Sequence, residues 1–266
     1  MSAVSTRSPV DGGRSRARRF GDVLFSEWTK LRSVRSTFWT LLITAVTAVG
    51  GSMIVALSVA NGGRTPLDPV ASIYVAWLEY PILAIGILGV LAFTSEFSSG
   101  QIRTTFTAIP RRRSVLAAKA WVVGIVALVA GELLSFAAFF LSESVIARHG
   151  RSVSLTQPGV LRAVVAAGVG LFAIALLGVS LGAIIRHTAG AVAALPAIIY
   201  LPLVALTLPS PWNERIGRFT MLAASYQLAS LHPRQGLFSP SVSMLVLLAW
   251  PAIGLLVASL LIDRDV

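Results

Sequence analysis

The 266-residue chain contains no cysteine, and only 12% of its residues are charged. The absence of cysteine excludes a disulfide-stapled secreted domain and a cysteine-ligated zinc or iron–sulfur site. An average soluble domain carries about 25% charged residues, so this chain has too few to cover a water-soluble globule. Hydrophobic residues make up 55% of the chain and its mean hydropathy is +0.80, which indicates a membrane protein.

Lysine is also scarce. Only Lys30 and Lys119 among the 22 basic residues are lysines, which we attribute to a coding bias towards arginine. The net charge is +11, and such an excess can indicate nucleic-acid binding. In so apolar a chain it is better explained by membrane topology, because cytoplasmic loops are enriched in basic residues. We therefore expect no nucleic-acid partner.

Two common catalytic signatures are missing. Neither lysine follows a glycine, so there is no phosphate-binding loop of the G-x-x-x-x-G-K-[ST] type. The three histidines, His149, His187 and His232, stand in separate loops without ligand spacing, so no metal site is predicted.

One catalytic pattern matches by letter, the G-x-S-x-G stretch at 178–182. Its serine, Ser180, lies in the middle of an apolar segment, with no preceding strand and no histidine at a similar depth. Gly178 and Gly182 instead favour a small-residue surface for close helix packing. No catalytic residue and no cofactor bound by this chain are predicted.

Six segments are long and apolar enough to cross a membrane, which takes about 20 residues. They are residues 38–60, 71–94, 120–141, 163–185, 189–208 and 242–262. Fifteen of the 22 basic residues would then lie on the side of the N-terminus, which predicts that both termini are cytoplasmic. The predicted fold is an all-α integral membrane protein of six transmembrane helices over 20–266, after a disordered cytoplasmic tail, 1–19.

Residues 20–37 carry apolar side chains at three- and four-residue steps, punctuated by basic ones. This pattern predicts a helix lying in the membrane interface, with Trp28, Lys30, Leu31 and Arg32 as interfacial residues. Glu27 is positioned to pair with Lys30. The alternative is a plain cytoplasmic extension of the first span.

The stretch 95–114 is the largest internal cytoplasmic loop, and Ile102, Phe106 and Ile109 fall on one helical face within it. A short amphipathic helix followed by three arginines could dock a cytoplasmic partner. The alternative is that the arginines only set topology. A second long connector, 209–240, predicts an external amphipathic or re-entrant helical hairpin.

Two acids lie within the predicted spans, Glu79 and Glu132. Ionisable groups at membrane depth are costly, which makes both residues candidates for a substrate path. Polar packing between helices is the alternative.

Four stretches together resemble the type-2 ABC exporter permeases of high-GC Gram-positive bacteria. They read SEWTKLRS at 26–33, SEFSSGQIR at 95–103, PRRR at 110–113, which Lys119 follows, and IRHTAGA at 185–191. Two departures from the family pattern are Gln101, where Thr is more usual, and Phe106, where Leu is common.

The resemblance implies a six-span subunit with an interfacial elbow helix at its N-terminus and external helices between spans five and six. It implies a dimer with a second copy or a sister permease, and two separate ATP-binding subunits that hold ATP and magnesium. The coupling loop that meets them would comprise Glu96, Phe97, Gly100, Ile102, Arg103, Phe106, Pro110, Arg111 and Arg112.

The expected function is export of a hydrophobic or amphipathic compound, such as a drug, antibiotic, peptide or lipid, across the cytoplasmic membrane. An ATP-independent secondary transporter or channel is the alternative.

Overall fold

The computed structural model describes residues 10–61, 81–100, 112–149, 153–231 and 236–262. Within these ranges the chain is helical and contains no β-strand. The helices, in chain order, are α1 (Val10–Ser33), α2 (Arg35–Ala60), α3 (Pro81–Ser98), α4 (Arg112–Ala147), α5 (Val160–Ile185), α6 (Thr188–Tyr200), α7 (Trp212–Gly217), α8 (Met221–Ala229) and α9 (Pro240–Leu261). A 3-10 helix, Leu201–Thr207, continues α6.

Five of these helices, α2, α3, α4, α5 and α9, are long and apolar enough to cross a membrane. The protein is therefore a helical membrane protein. The predicted segment 189–208 is divided between α6 and the 3-10 helix, which begins beside Pro202. Proline lacks the amide hydrogen of a regular α-helix, which accounts for the change in helix type there.

Several helix ends differ from the predicted ones. Helix α1 begins at Val10, ten residues before the predicted start, in a stretch whose four arginines favour a helix and whose Gly12 and Gly13 do not. Helix α3 continues past Thr94 to Ser98, and α4 begins at Arg112, eight residues before the predicted start. The extra turns of α3 and α4 contain charged and hydroxyl-bearing residues, so hydropathy underestimates the length of these helices.

Helix α5 is the centre of the bundle and packs against α3, α4, α6, α8 and α9. It is apolar all round, as expected of a helix enclosed by others. A Cβ added at Gly178 would overlap the carbonyl oxygen of Gly86 in α3, and one at Gly182 would lie 2.9 Å from the carbonyl oxygen of Val90. The predicted close packing through Gly178 and Gly182 is confirmed.

Helices α2, α4 and α9 each keep one large apolar face exposed. That face includes Phe38, Trp39, Val46 and Ile54 on α2, Trp121, Val129 and Leu133 on α4, and Leu245, Ile253 and Leu256 on α9. Continuous exposed apolar surface of this extent is unusual on a soluble monomer and matches contact with lipid.

One end of the bundle is fixed by arginine side chains. Arg112, at the start of α4, donates to the carbonyl oxygen of Ile262 at 3.4 Å, just after α9. Arg186, just after α5, donates to the carbonyl oxygen of Leu261 at 3.5 Å. We call this the basic end; α7 and α8, in the stretch where a hairpin is predicted, lie at the opposite end.

Candidate functional site: a buried charge cluster

Four charged side chains from three helices meet at the basic end. Lys30 Nζ on α1 donates to Glu27 Oε1 at 2.8 Å and to Glu96 Oε1 of α3 at 2.9 Å. Lys119 Nζ on α4 donates to the same Glu96 Oε1 at 2.9 Å and to Glu27 Oε2. Each lysine thus bridges both glutamates, and we call these four residues the charge cluster.

The cluster is largely removed from solvent. Glu27, Glu96 and Lys119 are each 4% exposed, and only Lys30, with 39% of its side chain exposed, reaches the surface. Two carboxylates and two ammonium groups leave no formal net charge, so the desolvation of each ion is opposed by two partners of opposite sign. Glu96 Oε2 is buried and has no hydrogen-bond partner within the described ranges.

Lys30 lies on α1, outside the helices that are long and apolar enough to cross a membrane, and its pKa is shifted. Burial acts to lower the pKa of Lys30, but hydrogen bonds and charge attraction from Glu27 and Glu96 outweigh it and raise the pKa above its ordinary value. Lys30 therefore carries its proton throughout the physiological range.

The local sequence explains how each side chain arrives there. Glu27 and Lys30 are one helical turn apart on α1, which ends at Ser33 before an extended residue, Val34, that turns the chain into α2. Lys119 lies on the buried face of α4 with Val115, Leu116 and Val122. Its ammonium group is also 6.0 Å from the ring centroid of Phe93.

A cavity of about 220 Å³ adjoins the cluster. Hydroxyl-bearing residues of the α1–α2 junction, Ser33, Ser36 and Thr37, form part of its wall. Leu88 and Leu91 of α3 line it as well. The cluster therefore has a small cavity beside it, lined by both hydroxyl-bearing and apolar side chains.

The predicted coupling residues divide into two groups. Glu96, Phe97, Gly100 and Arg112 lie at the basic end, where Gly100 has the left-handed φ of +72° and Arg186 lies 5.8 Å from the Phe97 ring. Glu96 is enclosed in the cluster rather than displayed on a loop. The others, Ile102, Arg103, Phe106, Pro110 and Arg111, lie outside the described residues.

The predicted interfacial residues lie on the last turns of α1. Trp28 and Arg32 are exposed, Leu31 packs against the core, and Lys30 belongs to the cluster. The predicted pair of Glu27 and Lys30 is confirmed.

Of the two acids predicted in spans, Glu79 lies outside the described residues. Glu132 is half-buried on α4, and a Cβ added at Gly168 of α5 would overlap its side chain. It packs against a glycine surface, and Glu79 and Glu132 remain candidates for a substrate path.

Ser180 occupies a packing position rather than a catalytic one. It is fully buried, and its Oγ donates to the carbonyl oxygen of Leu177 at 2.7 Å. His187 accepts a hydrogen bond from the Gly190 amide as the cap of α6, and His149 contacts the Val145 carbonyl oxygen. Neither histidine is positioned to activate the serine.

No family model matches the chain, and no similar curated protein is found. The charge cluster is the feature that sequence reasoning missed, since Glu96 and Lys119 were assigned no common role. The sequence did contain one indication of the cluster: the chain has only two lysines, and both belong to it.

Proposed function

We propose that the chain is the membrane-spanning permease subunit of an ATP-driven ABC exporter. It would move a hydrophobic or amphipathic compound across the cytoplasmic membrane, with both of its termini in the cytoplasm. The subunit would hydrolyse no ATP itself; ATP and magnesium would be bound by two copies of a separate ATP-binding subunit. The motifs at 26–33, 95–103, 110–113 and 185–191 support this proposal, as does the bundle of long apolar helices.

The charge cluster is the observation that carries the proposal. Glu96 lies two residues before the end of α3, and Lys119 lies seven residues after the start of α4. The proposed coupling loop is the connection between these two helices, so the cluster holds both of its flanks against α1. Separating buried ions from their partners is strongly unfavourable, so a force applied to the loop would be passed to α1, α3 and α4 together.

This role differs from simple stabilisation. Buried ion pairs are often no more stabilising than well-packed apolar residues, and they are better suited to fixing one arrangement of the parts they join. In an exporter of the proposed type, the cluster would fix the position of α1 relative to the coupling loop.

Co-purification from the native membrane tests the proposal. A tagged chain should bring down an ATP-binding subunit and a second permease chain, and adding the permease to the purified ATP-binding subunit should stimulate ATP hydrolysis. Glu96→Ala or Arg103→Ala should lower that stimulation without lowering the amount of protein in the membrane. Arg215→Ala, at the opposite end of the bundle, should leave the stimulation unchanged.

Two results would contradict the proposal. One is the absence of any ATP-binding subunit together with transport that follows a proton gradient, which would favour the secondary transporter. The other is full ATPase stimulation by both Glu96→Ala and Arg103→Ala.

A further inference from the structure

A second and larger cavity, of about 590 Å³, lies at the end of the bundle opposite the charge cluster. It is formed by the 3-10 helix, α7, α8 and the residues that precede α9. Its walls include the apolar side chains of Leu203, Leu222 and Leu237, together with Tyr226. This volume is in the ordinary range for small-molecule sites.

A single arginine gives this cavity its chemical character. The guanidinium carbon of Arg218 lies 5.6 Å from the ring centroid of Phe219 and 4.9 Å from that of Phe238. Its Nε is buried and has no hydrogen-bond partner within the described ranges. A guanidinium packed against aromatic rings is oriented by them but keeps its in-plane donors for an acceptor, typically a carboxylate or phosphate.

The aromatic support of Arg218 is itself fixed. The Phe219 and Phe238 rings meet edge to face, with centroids 5.0 Å apart. Trp250 Nε1 of α9 donates to the carbonyl oxygen of Phe219 at 3.0 Å. Arg218 therefore packs against two aromatic side chains that contact each other, and one of them is held by Trp250 through its backbone.

The residues around the cavity indicate that the rest of the ligand is apolar. Val204, Trp212 and Phe219 beside the cavity are each more than half exposed, and an exposed tryptophan among aliphatic side chains is typical of the boundary between lipid and water. Glu214 also lines the cavity, but it is exposed to solvent and forms no ion pair with Arg218 within the described ranges. An apolar wall, an unmatched cation and a lipid-facing setting describe a site for an anionic amphiphile.

We propose that this cavity binds an amphiphile from the membrane, with its carboxylate or phosphate head group on Arg218 and its apolar chain along Leu203, Leu222 and Leu237. The inference does not depend on the exporter proposal, because it involves neither the charge cluster nor an ATP-binding partner.

The test measures equilibrium binding of radiolabelled dodecanoate and of dodecyl phosphate to the purified full chain in phosphatidylcholine nanodiscs, with empty nanodiscs subtracted. At least one of the two should bind saturably, and Arg218→Gln should weaken that binding about tenfold or more, since charge-assisted hydrogen bonds are lost. Arg215→Gln is the matched control: Arg215 is exposed, lies one turn earlier and does not line the cavity, so its loss should leave binding unchanged.

A second variant guards against misfolding of the first. Ala223→Phe keeps Arg218 but fills the cavity from α8, and it should also weaken binding. Both variants are checked by size-exclusion profile and thermal unfolding.

Ligands that differ only in their head group test which charge the cavity prefers. Carboxylate and phosphate amphiphiles are compared directly, and dodecylamine and dodecanol should compete at least tenfold less well than the anion that binds. The proposal is overturned if neither anion binds, if Arg218→Gln binds as the native chain does, or if the amine competes equally. Displacement by acetate or inorganic phosphate at the same concentration as the amphiphile would also overturn it, because the occupant would then be a free anion.

Discussion

At the scale of single residues, lysine has a defined place in a protein that otherwise uses arginine. Each of the two lysines donates from one nitrogen to two carboxylates. A compact ammonium group with three donors suits this arrangement, whereas a planar guanidinium directs its donors into a fork. The scarcity of lysine is therefore informative about structure, and coding bias alone does not explain where the two lysines lie.

Alkaline pH should expose the role of Lys30. Its pKa is raised in the folded protein, so its contribution to stability is complete below the unfolded-state value of 10.5 and is lost as pH rises through the higher folded-state value. Lys30→Arg keeps its charge to above pH 12 and should retain more of its neutral-pH stability between about pH 10.5 and 12 than the native chain.

Thermal unfolding in detergent over that pH range provides the measurement. Arg32→Lys is the control, because it places a lysine on an exposed position of the same helix outside the cluster. Identical alkaline profiles for Lys30→Arg and the native chain would contradict the predicted loss of the Lys30 contribution over this pH range.

Sequence reasoning reached only part of the cluster. The pair of Glu27 and Lys30 could be predicted because the residues are one helical turn apart. Glu96 is 66 residues from Lys30, and Lys119 is 92 residues from Glu27. Helical periodicity relates residues within an element and carries no information about which elements meet, so the long-range half of the cluster required the fold.

At the scale of elements, the glycines of α3 and α5 allow the two helices to approach to backbone contact. In a membrane, such close packing replaces the hydrophobic drive that holds soluble helices together. The pattern at Gly178 and Gly182 was enough to predict the surface, but its partner on α3 was not predictable from spacing alone.

Gly178→Ala should therefore destabilise the protein by about 1–3 kcal/mol, because the new Cβ meets the Gly86 carbonyl of a neighbouring backbone that cannot rotate away. Gly50→Ala is the matched control in α2, where an added Cβ meets nothing within 4 Å. Helix propensity then predicts a neutral or stabilising effect.

Denaturation of both variants in mixed detergent, followed by circular dichroism, measures the difference. Equal stability of Gly178→Ala and the native chain would argue against backbone contact between α3 and α5.

Element boundaries show a second limit of sequence reasoning. The last turn of α3 and the first turns of α4 are helical although they leave the apolar window, and Glu96 and Lys119 form an ion pair there. In the opposite sense, 189–208 is apolar throughout but changes helix type at Leu201, since Pro202 removes a backbone donor.

At the scale of the whole molecule, the five long helices place the basic end and the α7–α8 end on opposite sides of the bundle. The positive-inside rule predicts that the basic end is cytoplasmic. Because the chain has no cysteine, single cysteines can report this orientation without any background substitution.

Ser99→Cys at the basic end and Ser154→Cys between α4 and α5 are both exposed positions. In intact cells a membrane-impermeant maleimide should label Ser154→Cys and leave Ser99→Cys unlabelled, and both should react after the membrane is permeabilised. The reverse pattern would invert the proposed topology.

The charge cluster also constrains how the protein is made. The ribosome delivers Glu27 and Lys30 first, as a pair within one helix, and Glu96 and Lys119 follow only after α2 and α3 have been synthesised. Burial of the four ions must therefore await the start of α4, and until then Glu27 and Glu96 share a single ammonium group, that of Lys30. The cluster can therefore be completed only after the first three helices and the start of the fourth have been synthesised.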